Sequence, residues 1–211
     1  CLLAKATIHN EDVIRPYTPI STNALVGHMD LLVKDYGEQG VMSRKLHEME
    51  LGETIAFQHI PPNVKIQAPF APNNIVLVAG GTGITPMIQA LHALLGDAAS
   101  SSKGQEQQQR VKLLYGSQRS DDILAKDLLD AWAENYSDRL QVVHVVSGEP
   151  ATSDWTGLRG RIDQELLNEY LDDEAFPSKD DTVVLVCGPP PMYQALCGPR
   201  NEPETVKGLL D

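Results

Sequence analysis

Two hydrophobic patterns divide the chain. Up to about residue 66, short apolar runs alternate with turn residues: LLAKATI, IRPYTPIS, MDLLVKDY and ETIAFQHI. Spacing of this kind predicts antiparallel strands in a barrel or sandwich. One helical segment, SRKLHEMEL, interrupts them. A turn-rich stretch from Pro61 to Asn74 follows, with a hinge predicted at 67–73. From Asn74 onward the runs lengthen and lose their alternation. NIVLVA, VKLLYGS, LQVVHVV and TVVLVCG predict strands buried on both faces. Between and after them, PMIQALHALL, ILAKDLLDAWAENY, IDQELLNEYL and MYQALC predict helices. Strand alternating with helix gives an α/β domain, a doubly wound parallel sheet, over 74–211. The stretch AASSSKGQEQQQ from Ala98 to Gln109 predicts a surface loop.

Charge and cysteine usage narrow the function classes. The formal net charge of −12 argues against general nucleic-acid binding, which needs a basic face. Cys1, Cys187 and Cys197 cannot build a disulfide framework, and no pair has metal-ligand spacing. These features suit a reducing or redox-neutral compartment, with no metal site. No apolar run reaches membrane-span length. The chain opens at Cys1, already in a strand pattern, and stops at Leu209-Leu210-Asp211 in a helical one. We therefore expect a fragment cut at both ends, with any targeting or anchoring segment outside it.

Four segments carry chemistry. Gly80-Gly81-Thr82-Gly83-Ile84-Thr85-Pro86 follows a buried strand and opens a helix. Glycines there let the backbone approach a ligand, and the helix N-terminus favours a pyrophosphate. Thr85 suits the cap and Pro86 the first helical position. The run matches neither GxGxxG nor the Walker pattern, and a plain glycine turn is the alternative. Cys187-Gly188-Pro189-Pro190-Pro191-Met192 also lies at the carboxyl end of a buried strand. Its prolines make a stiff wall and Gly188 leaves room for a flat ring; the alternative is a rigid loop with Cys187 a small core residue. Arg15-Pro16-Tyr17-Thr18-Pro19-Ile20-Ser21 brings together a phosphate-forking guanidinium, a stacking aromatic and a hydroxyl. An edge strand with two tolerated prolines is its alternative. On a regular strand Arg15 and Tyr17 would share one face and Thr18 the other. Gly40-Val41-Met42-Ser43 precedes the short helix and reads either as an anion-binding N-terminus or as a simple Ser43 cap.

RPYTPIS, GVMS, GGTGITPM and CGPPPM, in this order and at this spacing, closely resemble the NADH–cytochrome b5 reductase family of the ferredoxin-reductase superfamily, from about Ala6 to the end of the chain. The resemblance implies that residues 1–66 are an incomplete, all-β antiparallel FAD-binding barrel and 74–211 the NAD(P)H-binding domain. It implies that Arg15 contacts the FAD phosphates, Tyr17 packs on the flavin and Thr18 bonds near its reactive edge. Leu32 and Lys34 would line the FAD, while Val41, Met42 and Ser43 would hold its pyrophosphate. Thr85 would touch the flavin from the second domain. Gly81, Thr82 and Gly83 would face the dinucleotide. Gly188, Pro189 and Met192 would hold its nicotinamide end, with Cys187 near the carbon that gives up hydride. Gln118 and Asp122 would lie on the adenosine side. The implied cofactors are FAD and NADH. The implied acceptor is a haem protein of the cytochrome b5 kind, and the implied state is a monomer. Its implied place is intracellular, at a mitochondrial or endoplasmic-reticulum membrane.

The sequence departs from the family pattern in places. Two barrel strands expected before Cys1 are missing. His59-Ile60-Pro61-Pro62-Asn63 replaces the usual Gly-Pro-x-Gly turn, and HIPPNVKIQAPF looks like a branch found in plants and algae, including mitochondrial members. The family's closing aromatic is absent. Ser147 stands where NADH-specific members often carry an acidic residue, but Glu149, two residues on, should repel a 2′-phosphate and favour NADH over NADPH. Lys34, Arg44 and Lys45 offer part of a basic rim for an acidic acceptor; plain surface solvation is the alternative. Two further function classes stay open: a reductase module of a larger chain such as nitrate reductase, and a non-catalytic relative. The intact Arg15, Thr18 and Gly188 speak against the latter.

Overall fold

The structure, a computed structural model, describes residues 1–60, 70–96, 109–171, 179–201 and 206–210. The predicted surface loop at 98–109 lies outside these residues except for Gln109, and the predicted hinge at 67–73 is described only over 70–73. The first half holds an antiparallel sheet of β1 (Leu2–Ile8), β2 (Glu11–Tyr17) and β3 (Ala56–His59), in the order β2-β1-β3. Arg15 pairs with Ala4 and Tyr17 with Leu2 in the β1–β2 register. Position at an edge explains how β2 tolerates Pro16, whose missing N–H costs the sheet nothing on its open side. The strand ends at Tyr17, so Thr18 and Pro19 leave the pleat.

Two expectations for this half are corrected. MDLLVKDY is not a strand: residues 29–36 join neither of the described sheets. Tertiary contacts hold this segment instead. Ile20 N donates to Asp30 O at 2.9 Å, and Leu32 packs against the core of the second half. The short helix, α1 (Val41–Glu48), starts two residues before Ser43, so Ser43 is not its cap. Gly40 takes that place, and the Ser43 hydroxyl donates back to Gly40 O at 3.0 Å.

The second half is the α/β domain expected from its apolar runs. β4 (Asn74–Gly80), β5 (Arg110–Ser117), β6 (Leu140–Val146), β7 (Leu158–Arg159) and β8 (Thr182–Cys187) form one parallel sheet, ordered β7-β6-β5-β4-β8. All residues of β4 are buried. Alternation then splits the core in two. Ile75, Leu77 and Ala79 face α2 (Ile84–Gly96) and α3 (Lys126–Asn135). Val76 and Val78 face the side of α4 (Gln164–Leu171) and α5 (Pro190–Cys197). A sheet covered on both faces can expose function only at its strand ends.

Element boundaries differ from expectation for local reasons. A 3-10 turn over Gly81–Gly83 runs into α2 at Ile84. Thr85 is therefore not the cap and Pro86 is the third helical residue, where a missing N–H is still free of charge. α3 begins only at Lys126 because Ala125 sits in the left-handed region at φ 56°. β7, two residues long, was not predicted. At its far end α2 is closed by Arg139, which is buried. Its Nη1 and Nη2 donate to Leu94 O and Leu95 O, both at 3.1 Å. These bonds satisfy terminal carbonyls and place a cation at the negative end of the helix.

Candidate active site

The two halves meet around a cavity of about 790 Å³, within the range of ligand pockets. One wall comes from the end of β2 and the segment beyond it. Because the chain leaves the pleat after Tyr17, Arg15, Tyr17 and Thr18 all line the cavity, although a regular strand would have split them between faces. Burial pushes the Tyr17 phenol above its ordinary pKa, so it stays a neutral aromatic surface. Arg15 Nη1 donates to Ile14 O at 2.8 Å, and the exposed guanidinium keeps further donors for an anion. Leu32 and Lys34 form the floor, and Val41, Met42 and Ser43 bring the N-terminus of α1 to its edge.

The opposite wall is built from strand ends of the second half. Thr82, Gly83 and Thr85 line it beside Cys187, Gly188 and Pro189. Gly83 is required by close approach: a Cβ there would overlap the carbonyl of Cys187. Gly81 is required by conformation, at φ +53°. Gly81 itself does not line the cavity. Its carbonyl accepts a 3.1 Å hydrogen bond from the buried Tyr115 hydroxyl, which also accepts from Leu124 N at 3.3 Å. Burial drives the Tyr115 pKa up to about 12, so the phenol keeps its donor proton. Met192 lies behind the wall, packed in the core on the α5 side. The Thr85 hydroxyl donates to Thr82 O at 3.1 Å, and Tyr36 OH lies 3.4 Å from Thr82 Oγ1.

Gln118 and Asp122 lie past the end of β5, outside the cavity lining. Asp122 nevertheless reaches it through Lys34, whose Nζ lies 2.6 Å from Asp122 Oδ1. Nearby, the Glu149 carboxylate accepts from Ser120 N at 2.7 Å and from the Ser120 hydroxyl at 3.0 Å. The Ser120 N–H, then the hydroxyls around it, hold its pKa below the ordinary glutamate value. Ser147 is exposed, its hydroxyl directed to Ser117 O at 3.3 Å. The three cations weighed as a basic rim or as plain surface residues all have acidic partners: besides Lys34, Arg44 pairs with Glu48 at 2.7 Å and Lys45 with Glu53 at 3.1 Å.

Sequence reasoning missed Tyr36, Gln89, His92 and Tyr115. Gln89 Nε2 donates to Pro19 O at 2.7 Å and Ser21 O at 2.8 Å. His92 Nε2 lies 3.1 Å from Ile20 O. A signal was available for these two. Thr85, Gln89 and His92 are polar residues at helical spacing on an otherwise apolar helix.

The residues present fit two flat, phosphate-bearing groups bound face to face. A guanidinium and the N-terminus of α1 offer anion donors on one side, and a bare glycine turn opens the other to a second molecule. Matches to known families follow the same division. The model of the oxidoreductase FAD-binding domain matches residues 1–61 and that of the oxidoreductase NAD-binding domain residues 77–198. The chain belongs to this family of FAD- and NAD-binding oxidoreductases. Within it, the similarity is to the NADH–cytochrome b5 reductases. NADH-cytochrome b5 reductase 2 of Scheffersomyces stipitis is 38% identical over 200 residues, covering 93% of this chain and 61% of the relative. The enzyme of the same name from Meyerozyma guilliermondii is 39% identical over 207 residues, covering 96% of this chain and 64% of that one. The crystal structure of the cytochrome b5 reductase domain of Ulva prolifera nitrate reductase superposes with a TM-score of 0.79 at 28% identity, covering 96% of this chain and 78% of that domain. The chain thus spans between three fifths and two thirds of the length of the two yeast relatives. Among the described residues no helix is long and apolar enough to cross a membrane.

Proposed function

We propose that this chain is the catalytic part of an NADH-dependent flavoprotein reductase that passes electrons to a haem protein of the cytochrome b5 kind. The observation that carries the reading is one cavity walled by Arg15, Tyr17 and Thr18 on one side and by Gly83, Cys187 and Gly188 on the other. FAD, when bound, accepts hydride from NADH and releases electrons singly; this is the cofactors' own chemistry. The chain's task is to hold and orient. Arg15 and the N-terminal N–H groups of α1 bind phosphate oxygens. Tyr17 would cover a ring face, and the Thr18 hydroxyl would bond to the ring edge. On the far wall Gly83 and Gly188 would leave room for the nicotinamide, Pro189 would stiffen that surface, and Cys187 would lie on the side of the reacting carbon. No acid or base is needed. Glu149 occupies the donors of Ser120 with a negative charge, which supports NADH over NADPH.

The names of the yeast relatives support a cytochrome b5 acceptor. The likeness to a domain of nitrate reductase supports a second reading, in which the same module serves inside a longer chain. Our proposal includes a monomeric state and attachment at a mitochondrial or endoplasmic-reticulum membrane through a segment outside this sequence; the likeness of HIPPNVKIQAPF to mitochondrial members supports the former organelle.

The test is spectroscopic. The chain is purified with added FAD, its visible spectrum recorded, and NADH added without oxygen. A bound-flavin spectrum that bleaches with NADH, and much more slowly with NADPH, is expected. A chain extended to its natural length that still binds no flavin would sink the reading.

A further inference from the structure

Helix α2 touches both walls of the cavity. Its first turn carries Thr85 of the dinucleotide-side wall, and the 3-10 turn that runs into it carries Thr82 and Gly83. One turn further on, both hydrogens of the Gln89 amide are spent on the flavin-side segment, at Pro19 O and Ser21 O. His92 takes the intervening carbonyl, Ile20 O, with Nε2 carrying the hydrogen. Three successive carbonyls are therefore held by one helix face, directly after Thr18. Ile20 and Leu32 pack on the same core as Ile84 and Ile88, which seats the joint in apolar contact.

We propose that Gln89 is a positioning residue for hydride transfer: it fixes the offset between the flavin-side and dinucleotide-side walls by binding the backbone that follows Thr18. The inference rests on the functional reading above. Its physical basis is the steep dependence of such a reaction on alignment. Each ring is held by a different half of the chain, so the transfer distance is set by whatever locks the halves together. Here that lock is short and direct: a planar amide fixed to a helix, and two carbonyls within three residues of Thr18. Gln89 touches neither ring. Its loss loosens alignment and leaves the groups that grip each cofactor in place.

The experiment uses the FAD-loaded full chain, mixed rapidly with NADH without oxygen. Three readings are taken: the rate of flavin bleaching at saturation, the NADH concentration at half saturation, and the long-wavelength flavin–nicotinamide charge-transfer absorbance. Gln89→Leu keeps the size and removes both donors. We expect full FAD content, half saturation within about twofold of the unaltered protein, a weaker charge-transfer band, and a saturated rate lower by roughly ten- to a hundredfold. Gln89→Glu sets a carboxylate against two carbonyl oxygens. It should be slow at neutral pH and recover as the pH falls and the acid regains one donor, a limb absent from the unaltered protein. An FAD-loaded Q89L that bleaches at the unaltered rate with an unaltered band overturns the inference. If Q89L does not accumulate with FAD, a pH–rate profile of Q89E parallel to that of the unaltered protein overturns it. Failure of the unaltered protein itself to bleach removes the functional reading, and the inference with it; normal bleaching with an equally fast Q89L removes the inference alone.

Discussion

Lys34 and Asp122 stand 88 residues apart in sequence and 2.6 Å apart in space. The pair ties the segment under the flavin-side wall to the turn beyond β5. Both side chains are less than a third exposed, at 24% and 28%, so solvent screens them only in part. We expect Lys34→Met and Asp122→Asn each to lower stability by about 1 kcal/mol, with the double variant little worse than either. Chemical denaturation of all four proteins checks this. Additive losses would show that the pair is not coupled.

Gly83→Ala tests the contact between the glycine turn and the end of β8. The added methyl meets the Cys187 carbonyl, and backbone cannot step aside as a side chain can. The variant should lose about 1–3 kcal/mol, keep its FAD and show weakened NADH saturation. A thermal melt and a titration with NADH are sufficient.

Tyr115→Phe removes the hydroxyl that bridges Gly81 O and Leu124 N. Leaving both groups unpaired in a buried place should cost about 1–3 kcal/mol and raise the KM for NADH with little change in FAD affinity. The pH dependence has a definite sign. The Tyr115 pKa is raised from 10.0 to about 12, so its contribution is complete below pH 10 and is lost as the pH rises through about 12. Alkaline denaturation in that window should be shallower in Y115F than in the unaltered protein.

Glu149→Gln should do two things. Neutralising the carboxylate exposes the Ser120 donors to a 2′-phosphate, so kcat/KM for NADPH should rise about tenfold with NADH little changed. The carboxyl pKa is lowered from the model-peptide value of 4.5, so its stabilising effect is present above that pH and is lost as the pH falls below it. The stability difference between the two proteins should therefore close under acid conditions. Unchanged NADPH use would leave Glu149 without a part in selecting the dinucleotide.

Much of the second half could be read from the sequence because its central strands, β4 and β5, bury both faces. NIVLVA has no alternation to misread, and β4 is indeed buried throughout. MDLLVKDY was misread as a strand since its residues find their partners across the fold: Leu32 on the core of the second half, and Lys34 on Asp122. Periodicity cannot register such partners. The site was legible where backbone chemistry marks it, in the glycines of GGTG and the prolines of CGPPP. The residues that brace it were not, because Gln89 and Tyr115 act through carbonyls that any residue could supply. Asp122 and Glu149 were read as adenosine-side residues, but what each carboxylate grips, Lys34 in one case and Ser120 in the other, is a tertiary fact.

Arg139 closes α2 at Leu94 and Leu95 from the residue just before β6. The beam that carries both cavity walls is thus clamped at its far end to the parallel sheet, and the reaction centre inherits the stiffness of the domain's core.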